Sequence, residues 1–294
     1  MPIFARHLPA LLLFMCMTAQ AVVVVNDDSD AEVRLPRLAM RVIALAPNTA
    51  ETLLAIGAGS RLVGTVQYSD YPSAAKLVPR VGSSAQLDME AIVALKPDLV
   101  IGWRTGNAPA HIEKIRQLGI PVYLNEPGHI DDIAHDMERY GVLLGEPKAA
   151  QAAAAYRSRL AALRARYSAR PALRVFYQIW KDPLMTVGGA QIISDAIRLC
   201  GGENVFGQLS QMAPVVTVES VLAADPDLIV ASGLDETRPE WLDDWRRWPQ
   251  LKAVARDNLY FIPPDIIQRH TPRLLDGTEM LCRQLETARE HLKH

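Results

Sequence analysis

The sequence lacks a charge excess of either sign. Its 31 basic and 33 acidic residues give a formal net charge of -2. No stretch clusters Lys and Arg with aromatic side chains, as a nucleic-acid-binding surface does. Nucleic acid and anionic lipid are therefore poor candidates as partners. With 294 residues, of which 49% are apolar and 22% are charged, the chain is able to bury one large core or two smaller ones.

The sequence also lacks the common enzyme motifs. It contains no GxSxG nucleophile elbow, no GxxxxGK[ST] phosphate loop, no GxGxxG dinucleotide loop after a strand and no HExxH zinc motif. Its seven His residues do not pair at metal-ligand spacing, and its three Cys residues are too far apart for a CxxC site. We therefore expect no catalytic residue, no bound metal and no cofactor.

The N-terminal apolar run is short. Residues 1–21 carry one Arg, no acidic residue and an apolar run from Leu8 to Met17. The run is too short to span a membrane and, with the small residues that follow it, is typical of a cleaved secretory signal peptide. A buried helix or an uncleaved anchor is the alternative, and the residues before Cys16 match a lipidation signal poorly. We expect an exported mature chain that begins near Val22.

Cysteine is scarce in the remaining chain. Loss of the first segment leaves Cys200 and Cys282. An isolated pair tends to join in an oxidising compartment, and this bond would close a loop of about 80 residues, worth roughly 3 to 5 kcal/mol. Two separately buried thiols are the alternative.

Two stretches of the chain nearly repeat each other. Residues 88–103 are DMEAIVALKPDLVIGW, and residues 217–232 are TVESVLAADPDLIVAS. The two align without a gap, with Glu90 opposite Glu219. A solenoid needs three or more units, so a single repeat indicates two lobes of similar build.

Strands and helices alternate in both halves of the chain. Residues 41–66 predict a strand, a helix and a second strand, and the same order recurs after residue 174. This alternation predicts parallel sheets that are covered by helices. Between the halves, one face of a predicted helix is apolar at Ala152, Tyr156, Leu160, Leu163 and Tyr167.

The predicted fold is therefore two Rossmann-like α/β lobes joined by one long, rigid helix, with a cleft between the lobes that opens and closes little. The expected divisions are a signal peptide at 1–21, an N-terminal extension at 22–40, a first lobe at 41–146, a helix at 147–170 and a second lobe at 171–294.

Aromatic and polar residues follow several predicted strands. The four stretches are YSDYP at 68–72, Trp103 with RTGN, YQIWKDPLM at 177–185 and DIIQRHTPR at 265–273. In α/β lobes the ligand crevice lies beyond the carboxyl ends of the strands. We therefore expect these loops to face each other across the cleft.

On these residues the sequence resembles the periplasmic cobalamin-binding proteins of ABC importers. The resemblance rests on YSDYP, IVALKPDLVIGWRTGNA, LCGGENVF, VESVLAADPDLIV and a late Asp, Arg, Pro, Arg pattern, and it covers residues 40–286. It implies a class III periplasmic binding protein, a monomer and not an enzyme. It also implies a corrinoid ligand, cobalamin first, and an inner-membrane ABC transporter made of a permease dimer and its ATPase.

The resemblance also assigns ligand-binding residues. Tyr68, Trp103, Asp265 and Arg269 match positions that contact the ligand in the family. A corrin is broad and nearly flat, with apolar faces and a rim of amides, so aromatic rings suit its faces and polar groups its rim. Several family aromatics are missing here, and the residues that would fill their space are Tyr177, Trp180 and Met185. The alternatives are core packing of Tyr68 and Trp103, and a surface ion pair between Arg269 and Asp265.

The repeated acids acquire a role from the same resemblance. Glu90 and Glu219 match the acidic residues with which family members dock onto basic pockets of two identical permease subunits. A pseudo-symmetric pair of carboxylates suits a two-fold partner. The alternative is two helix-end acids that are favoured by the helix dipole.

Other ligands and one other function class stay open. A haem binder of the same fold would need an axial Tyr or His, for which Tyr68 or His270 is available, and a siderophore binder would want several Arg in the cleft. An exported α/β enzyme with Asp265 and His270 as acid and base lacks a nucleophile or a metal.

Overall fold

The structure is a computed structural model that describes residues 22–233 and 236–293. The predicted signal peptide at 1–21 lies outside these residues. Within the described part of the chain, no helix is both long and apolar enough to cross a membrane.

Strands and helices alternate along most of the described chain. The strands are β1 Val23–Asn26, β2 Glu32–Leu35, β3 Val42–Ala44, β4 Leu62–Thr65, β5 Leu99–Trp103, β6 Val122–Asn125, β7 Leu173–Trp180, β8 Met185–Thr186, β9 Gly202–Asn204, β10 Leu228–Ala231 and β11 Leu259–Phe261. The helices are α1 Pro47–Ala55, α2 Met89–Ala94, α3 Pro109–Gln117, α4 Asp132–Leu144, α5 Lys148–Tyr167, α6 Ile192–Leu199, α7 Val218–Ala224, α8 Lys252–Ala255, α9 Pro264–Ile267 and α10 Leu274–His291. Short 3₁₀ turns occur at Gly59–Arg61, Ser73–Leu77 and Glu240–Arg247.

The two main sheets have the same strand order. The first sheet runs β4-β3-β5-β6, and all its pairs are parallel. In the second sheet β9, β7, β10 and β11 pair in parallel in the corresponding order, and β8 adds an antiparallel partner at the end of β7. The prediction of two α/β lobes with parallel sheets is confirmed.

The repeated stretches occupy equivalent places in the two lobes, as α2 with β5 and as α7 with β10. In the first lobe, the Asp98 carboxylate accepts a hydrogen bond from the backbone N–H of Arg41 at 2.8 Å. In the second, Asp227 accepts from the N–H of Arg174 at 2.9 Å. Each Arg side chain in turn donates to the carbonyl three residues before that Asp. The same pair of contacts therefore ties helix to sheet in both lobes.

The long helix α5 contacts both lobes. Its buried face consists of Ala149, Ala153, Tyr156, Leu160, Leu163 and Tyr167. Outside this face, Arg157 pairs with Glu138 of α4, and Arg159 pairs with Asp276 and Glu279 of α10 at 2.5 and 2.9 Å. Exposed pairs contribute little free energy, so the apolar face supplies most of the attachment. The predicted joining helix is confirmed.

The predicted disulfide is also present. Cys200, at the end of α6, is bonded to Cys282 in α10, with their Cα atoms 4.7 Å apart. Both residues are fully buried. The bond therefore joins two helices of the second lobe beneath its surface.

Residues 22–40, for which the sequence analysis predicted no strand, form an antiparallel hairpin of β1 and β2. The turn is anchored on the first lobe: Asp27 accepts a hydrogen bond from the N–H of Leu124 at 3.1 Å, and Asp28 accepts from the N–H of Glu126 at 2.6 Å. The hairpin is thus fixed to the end of β6, close to the loops that carry the candidate site.

Candidate ligand-binding site

A cleft of about 780 Å³ lies between the two lobes. It opens at the carboxyl ends of the strands, since Trp103 is the last residue of β5 and Glu126 directly follows β6. Residues of both lobes line it. Those used below are Tyr68, Trp103, Thr105 and Glu126 from the first lobe and Ile179, Asp265, Gln268, Arg269 and His270 from the second.

Trp103 is positioned by the two residues that follow the β5 turn. Asn107, which is 3% exposed, accepts a hydrogen bond from the backbone N–H of Trp103 at 2.6 Å and donates to the carbonyls of Leu45 and Ser84 at 3.1 and 2.9 Å. The indole lies directly over Gly106, where an added Cβ would come within 1.9 Å of a ring carbon. Asn107 thus fixes the backbone of Trp103, and Gly106 leaves room for the indole at the cleft.

Tyr68 presents its ring to the cleft from an uncommon backbone conformation. Its φ is 64°, and 78% of the residue is exposed. A non-glycine residue at positive φ costs free energy and persists only where its surroundings hold it. Here the buried hydroxyls of Thr65 and Ser69 are 2.8 Å apart, and Arg80 donates to the Ser69 carbonyl at 2.7 Å. The exposed ring is available to a ligand and contributes little to the core.

Asp265 and Arg269 lie on the opposite side of the cleft, and Arg269 also reaches across it. Its guanidinium pairs with Asp265 at 2.8 Å and with Asp70 of the first lobe at 2.8 Å. Burial raises the pKa of Asp70, but the hydrogen bond and charge of Arg269 outweigh that effect and hold this pKa below its usual value. The Asp265 carboxylate is therefore engaged by an arginine, in contrast to the acid and base pair with His270 that an enzyme would need.

A second ion pair joins the lobes. Arg273, at the start of α10, donates two hydrogen bonds of 2.7 Å to the Glu51 carboxylate in α1. Glu51 is 2% exposed, and the Arg273 guanidinium lies 3.5 Å from the centre of the Tyr71 ring. Because separation of the lobes here would leave a buried carboxylate unpaired, this contact favours one arrangement of the lobes.

Three of the predicted ligand residues are not brought to the cleft. Tyr177 is fully buried in β7, the Trp180 indole donates to the Asp182 carbonyl at 3.0 Å, and Met185 pairs with β7 as part of β8. Ile179, nearer the end of β7 than Tyr177, lines the cleft instead. Depth along the strand separates Tyr177 from Ile179, and sequence order does not reveal it.

The cleft also contains polar residues that the motif comparison did not assign. Glu126 accepts hydrogen bonds from the N–H and the hydroxyl of Thr105 at 3.0 and 2.7 Å. His270 lines the cleft beside Gln268 and Arg269. Protein around the ring lowers the pKa of His270 to about 4, against a smaller opposing effect of Glu126. The position of both residues beyond strand ends is the sequence signal that points to them.

The two repeated acids have matching positions. Glu90 is the second residue of α2, which Asp88 caps through a 2.9 Å hydrogen bond, and Glu219 is the second residue of α7, which Thr217 caps at 3.2 Å. Both Glu side chains are exposed. Neither forms an ion pair with another of the described residues, so both are accessible to a partner.

Comparison with known proteins agrees with this architecture. The family model described as periplasmic binding protein matches residues 42–266. The chain belongs to the periplasmic binding protein family. Members of this family are substrate-binding proteins, and the arrangement of a cleft between two α/β lobes is consistent with that class.

Individual relatives are similar over most of the chain. A vitamin B12-binding protein of Vibrio parahaemolyticus is 35% identical over 253 residues, which cover 85% of this chain and 90% of the relative. The crystal structure of the periplasmic vitamin B12-binding protein BtuF of Vibrio cholerae superposes with a TM-score of 0.78 at 35% identity, covering 85% of this chain and 98% of that one. The heme-binding protein RhuT of Roseiflexus sp. RS-1, at 22% identity and a TM-score of 0.72 over 84% of this chain and 98% of that one, shares the fold.

Proposed function

We propose that this protein captures a corrinoid, cobalamin first, in the cleft between its lobes and delivers it to an inner-membrane ABC transporter. The observation that carries the proposal is the cleft itself. It places Tyr68 and Trp103 from one lobe opposite Asp265 and Arg269 from the other, in a chain that is 35% identical to a vitamin B12-binding protein.

The chemistry of the cleft suits a flat ligand with a polar rim. The positioned indole of Trp103 and the exposed ring of Tyr68 offer apolar area to a ring face. The guanidinium of Arg269 donates to amide carbonyls, and the Asp265 carboxylate accepts from amide N–H groups. The two ion pairs between the lobes support a cleft whose width changes little on binding, which limits the entropy lost with the ligand.

Delivery would use the repeated acids. Glu90 and Glu219 are exposed, occupy equivalent places in the two lobes and are free of ion pairs with the described residues. A permease dimer presents the same surface twice, so one carboxylate for each subunit satisfies both copies. We assign the two residues to docking on basic pockets of that dimer.

Export would use residues 1–21 as a signal peptide, which leaves a periplasmic chain that begins near Val22. In the mature protein we assign residues 41–146 and 171–294 to the two lobes. N-terminal sequencing of the exported protein gives the cleavage point, and recovery of the full-length chain would contradict this part of the proposal.

A spectral retention assay tests the ligand class. Purified mature protein is incubated separately with cyanocobalamin, haemin and a ferric hydroxamate siderophore, desalted, and examined by visible absorption. We expect retention of cyanocobalamin, with calorimetry giving about one ligand per chain because the lobes enclose one cleft. If the protein instead retains haemin or the siderophore and loses cyanocobalamin in the desalting step, the retained compound, and not a corrinoid, is the ligand of the cleft.

A further inference from the structure

The His270 ring lines the cleft and makes no polar contact with the residues that the structure describes. It follows α9 and lines the cleft beside Gln268 and Arg269. Within residues 22–233 and 236–293, neither ring nitrogen of His270 makes a hydrogen bond or ion pair, whereas Arg269 pairs with two carboxylates. The imidazole is therefore free to bind something that enters the cleft.

The ring is also in the right state to act as a metal ligand. His270 lines the cleft, and no group among the described residues occupies a lone pair of its ring nitrogens. A neutral imidazole has a free lone pair and is a good ligand for first-row transition metals. A protonated ring would have no lone pair to donate.

A free metal ion would find too few ligands here. No group of three or more His, Cys, Asp or Glu in the described part of the chain is able to hold a metal ion. A metal that binds at His270 must therefore arrive with most of its coordination sphere already filled. A metal inside a tetradentate macrocycle meets this condition, because it needs only an axial ligand.

The placement of His270 suits a flat macrocycle. Trp103 and His270 line the cleft from opposite lobes. A flat ring that stands between the lobes presents one face to each of them. The indole would then cover one face, while the imidazole approaches the metal from the other.

We propose that His270 supplies an axial nitrogen ligand to the cobalt of the bound corrinoid. The inference rests on the corrinoid function proposed above. In the exchange, the bond from cobalt to an axial water breaks, a bond from cobalt to a ring nitrogen forms with the imidazole lone pair, and the oxidation state of the metal is unchanged. The site therefore favours corrinoids with an exchangeable axial ligand over cyanocobalamin, in which cyanide and the internal base fill both axial positions.

The test compares aquocobinamide, which lacks the internal base, with cyanocobalamin. Protein labelled with 15N-histidine is loaded with the cobinamide, which is then reduced to Co(II) for electron paramagnetic resonance. We expect a triplet splitting from one nitrogen in unlabelled protein and a doublet in labelled protein. His270→Ala should lose the splitting and bind aquocobinamide about tenfold or more weakly. Its affinity for cyanocobalamin should change much less.

His135→Ala is the matched control, since His135 is an exposed histidine of α4 away from the cleft. It should keep both the splitting and the affinity. His270→Gln, with circular dichroism of each variant, separates loss of the ligand from loss of the fold, and the isotope experiment on the wild-type protein needs no variant.

Two outcomes would overturn the inference in different ways. If the wild-type protein binds both corrinoids but the Co(II) spectrum has no nitrogen splitting from the label, His270 is not an axial ligand and the corrinoid function stands. If it binds neither corrinoid, the proposed function and this inference are both wrong.

Discussion

The two lobes share a scaffold but differ in what they bring to the cleft. Both have the same order of parallel strands, and in both an Arg and Asp pair ties the repeated helix to the sheet. The first lobe contributes the large aromatic rings of Tyr68 and Trp103, beside the polar Thr105 and Glu126. The second contributes Asp265, Arg269 and His270, beside the apolar Ile179. A duplicated framework thus supports two unlike walls, because loops after the strands vary without changing the sheet.

The lobes also differ in how their interiors are secured. The second lobe has the disulfide between Cys200 and Cys282. The first has a buried carboxyl, Asp136, which accepts hydrogen bonds from Asn125 at 2.6 Å and from the Tyr123 hydroxyl at 3.4 Å. The second lobe should therefore respond to reducing agents and the first to pH.

The largest expected effect concerns the feature that the lobes share. Reversal of both repeated acids, with Glu90→Arg and Glu219→Arg, should weaken binding to the transporter by about a thousandfold, because like charges would then meet at both contacts. Each single variant should lose part of that affinity. A pull-down on the reconstituted transporter measures the loss.

Corrinoid affinity should stay unchanged in these variants, and stability should shift by less than about 0.5 kcal/mol, as is usual at exposed positions. Glu113→Arg, at an exposed position of α3 in the first lobe, is the matched control and should dock normally. Normal docking of the double variant would leave the two acids as helix-end residues. Loss confined to one single variant would show that the lobes dock unequally.

The next largest effect should be confined to the second lobe. Replacement of both Cys200 and Cys282 with Ala removes a link across a sequence separation of 82 residues. We expect a loss of about 2 to 4 kcal/mol in the free energy of unfolding, mostly from the greater freedom of the unfolded chain. Urea denaturation measures the loss, and hydrogen exchange should show it in α6 and α10 before α1 and α4. Equal loss of protection in both lobes would contradict this difference.

A smaller effect tests the aromatic wall. Trp103→Ala should weaken corrinoid binding by about 1 to 3 kcal/mol if the indole covers a ring face. Gly106→Ala should weaken it in the same direction, since the added Cβ displaces the indole. Calorimetry measures both. Leu118→Ala, at an exposed position of the first lobe away from the cleft, serves as the control. Unchanged affinity in the Trp103 variant would show that the indole does not contact the ligand.

The smallest effect concerns the buried carboxyl of the first lobe. Burial first, and then the charge of Asp28, raise the pKa of Asp136 well above 3.8, against the opposing effects of Asn125 and Arg139. The folded protein therefore binds this proton more tightly than the unfolded chain. Stability from this group is present below pH 3.8 and is lost as pH rises through the folded pKa.

Asp136→Asn should remove this part of the pH dependence. At pH values above the folded pKa of Asp136, the variant should be more stable than the wild type by about 1 kcal/mol. Thermal denaturation across pH measures both profiles. Asp30→Asn, at an exposed carboxyl of the hairpin, should leave the wild-type profile unchanged. A wild-type stability that does not fall with rising pH, relative to Asp136→Asn, would contradict the assignment.

Several features of the site were open to prediction because they depend on short stretches of chain. Trp103 and Tyr68 lie just past apolar runs that predict strands, and loops at strand ends form the crevice of α/β lobes. Tyr177 has the same kind of local surroundings, yet it is buried. Its depth depends on how β7 packs against the rest of the lobe, which a local pattern does not contain.

Contacts between distant segments were beyond local patterns as well. The Arg273 and Glu51 pair joins positions 222 residues apart, and the hairpin turn at Asp28 is anchored 98 residues away at Glu126. Each of these residues by itself is an ordinary charged side chain. Only the folded chain gives each one its partner.

The sequence by itself determined the alternation of strands and helices, the two equivalent lobes and the long helix between them, and it reduced the disulfide question to one candidate pair, Cys200 and Cys282. These depend on periodicity, on a visible repeat and on the scarcity of one residue type. The tertiary structure alone decided which side chains face the cleft, which ion pairs join the lobes, that the two cysteines are bonded, and that the His270 ring lines the cleft without a polar contact to any of the described residues. Burial and electrostatic environment are properties of the three-dimensional surroundings, and residues far apart in the chain supply them.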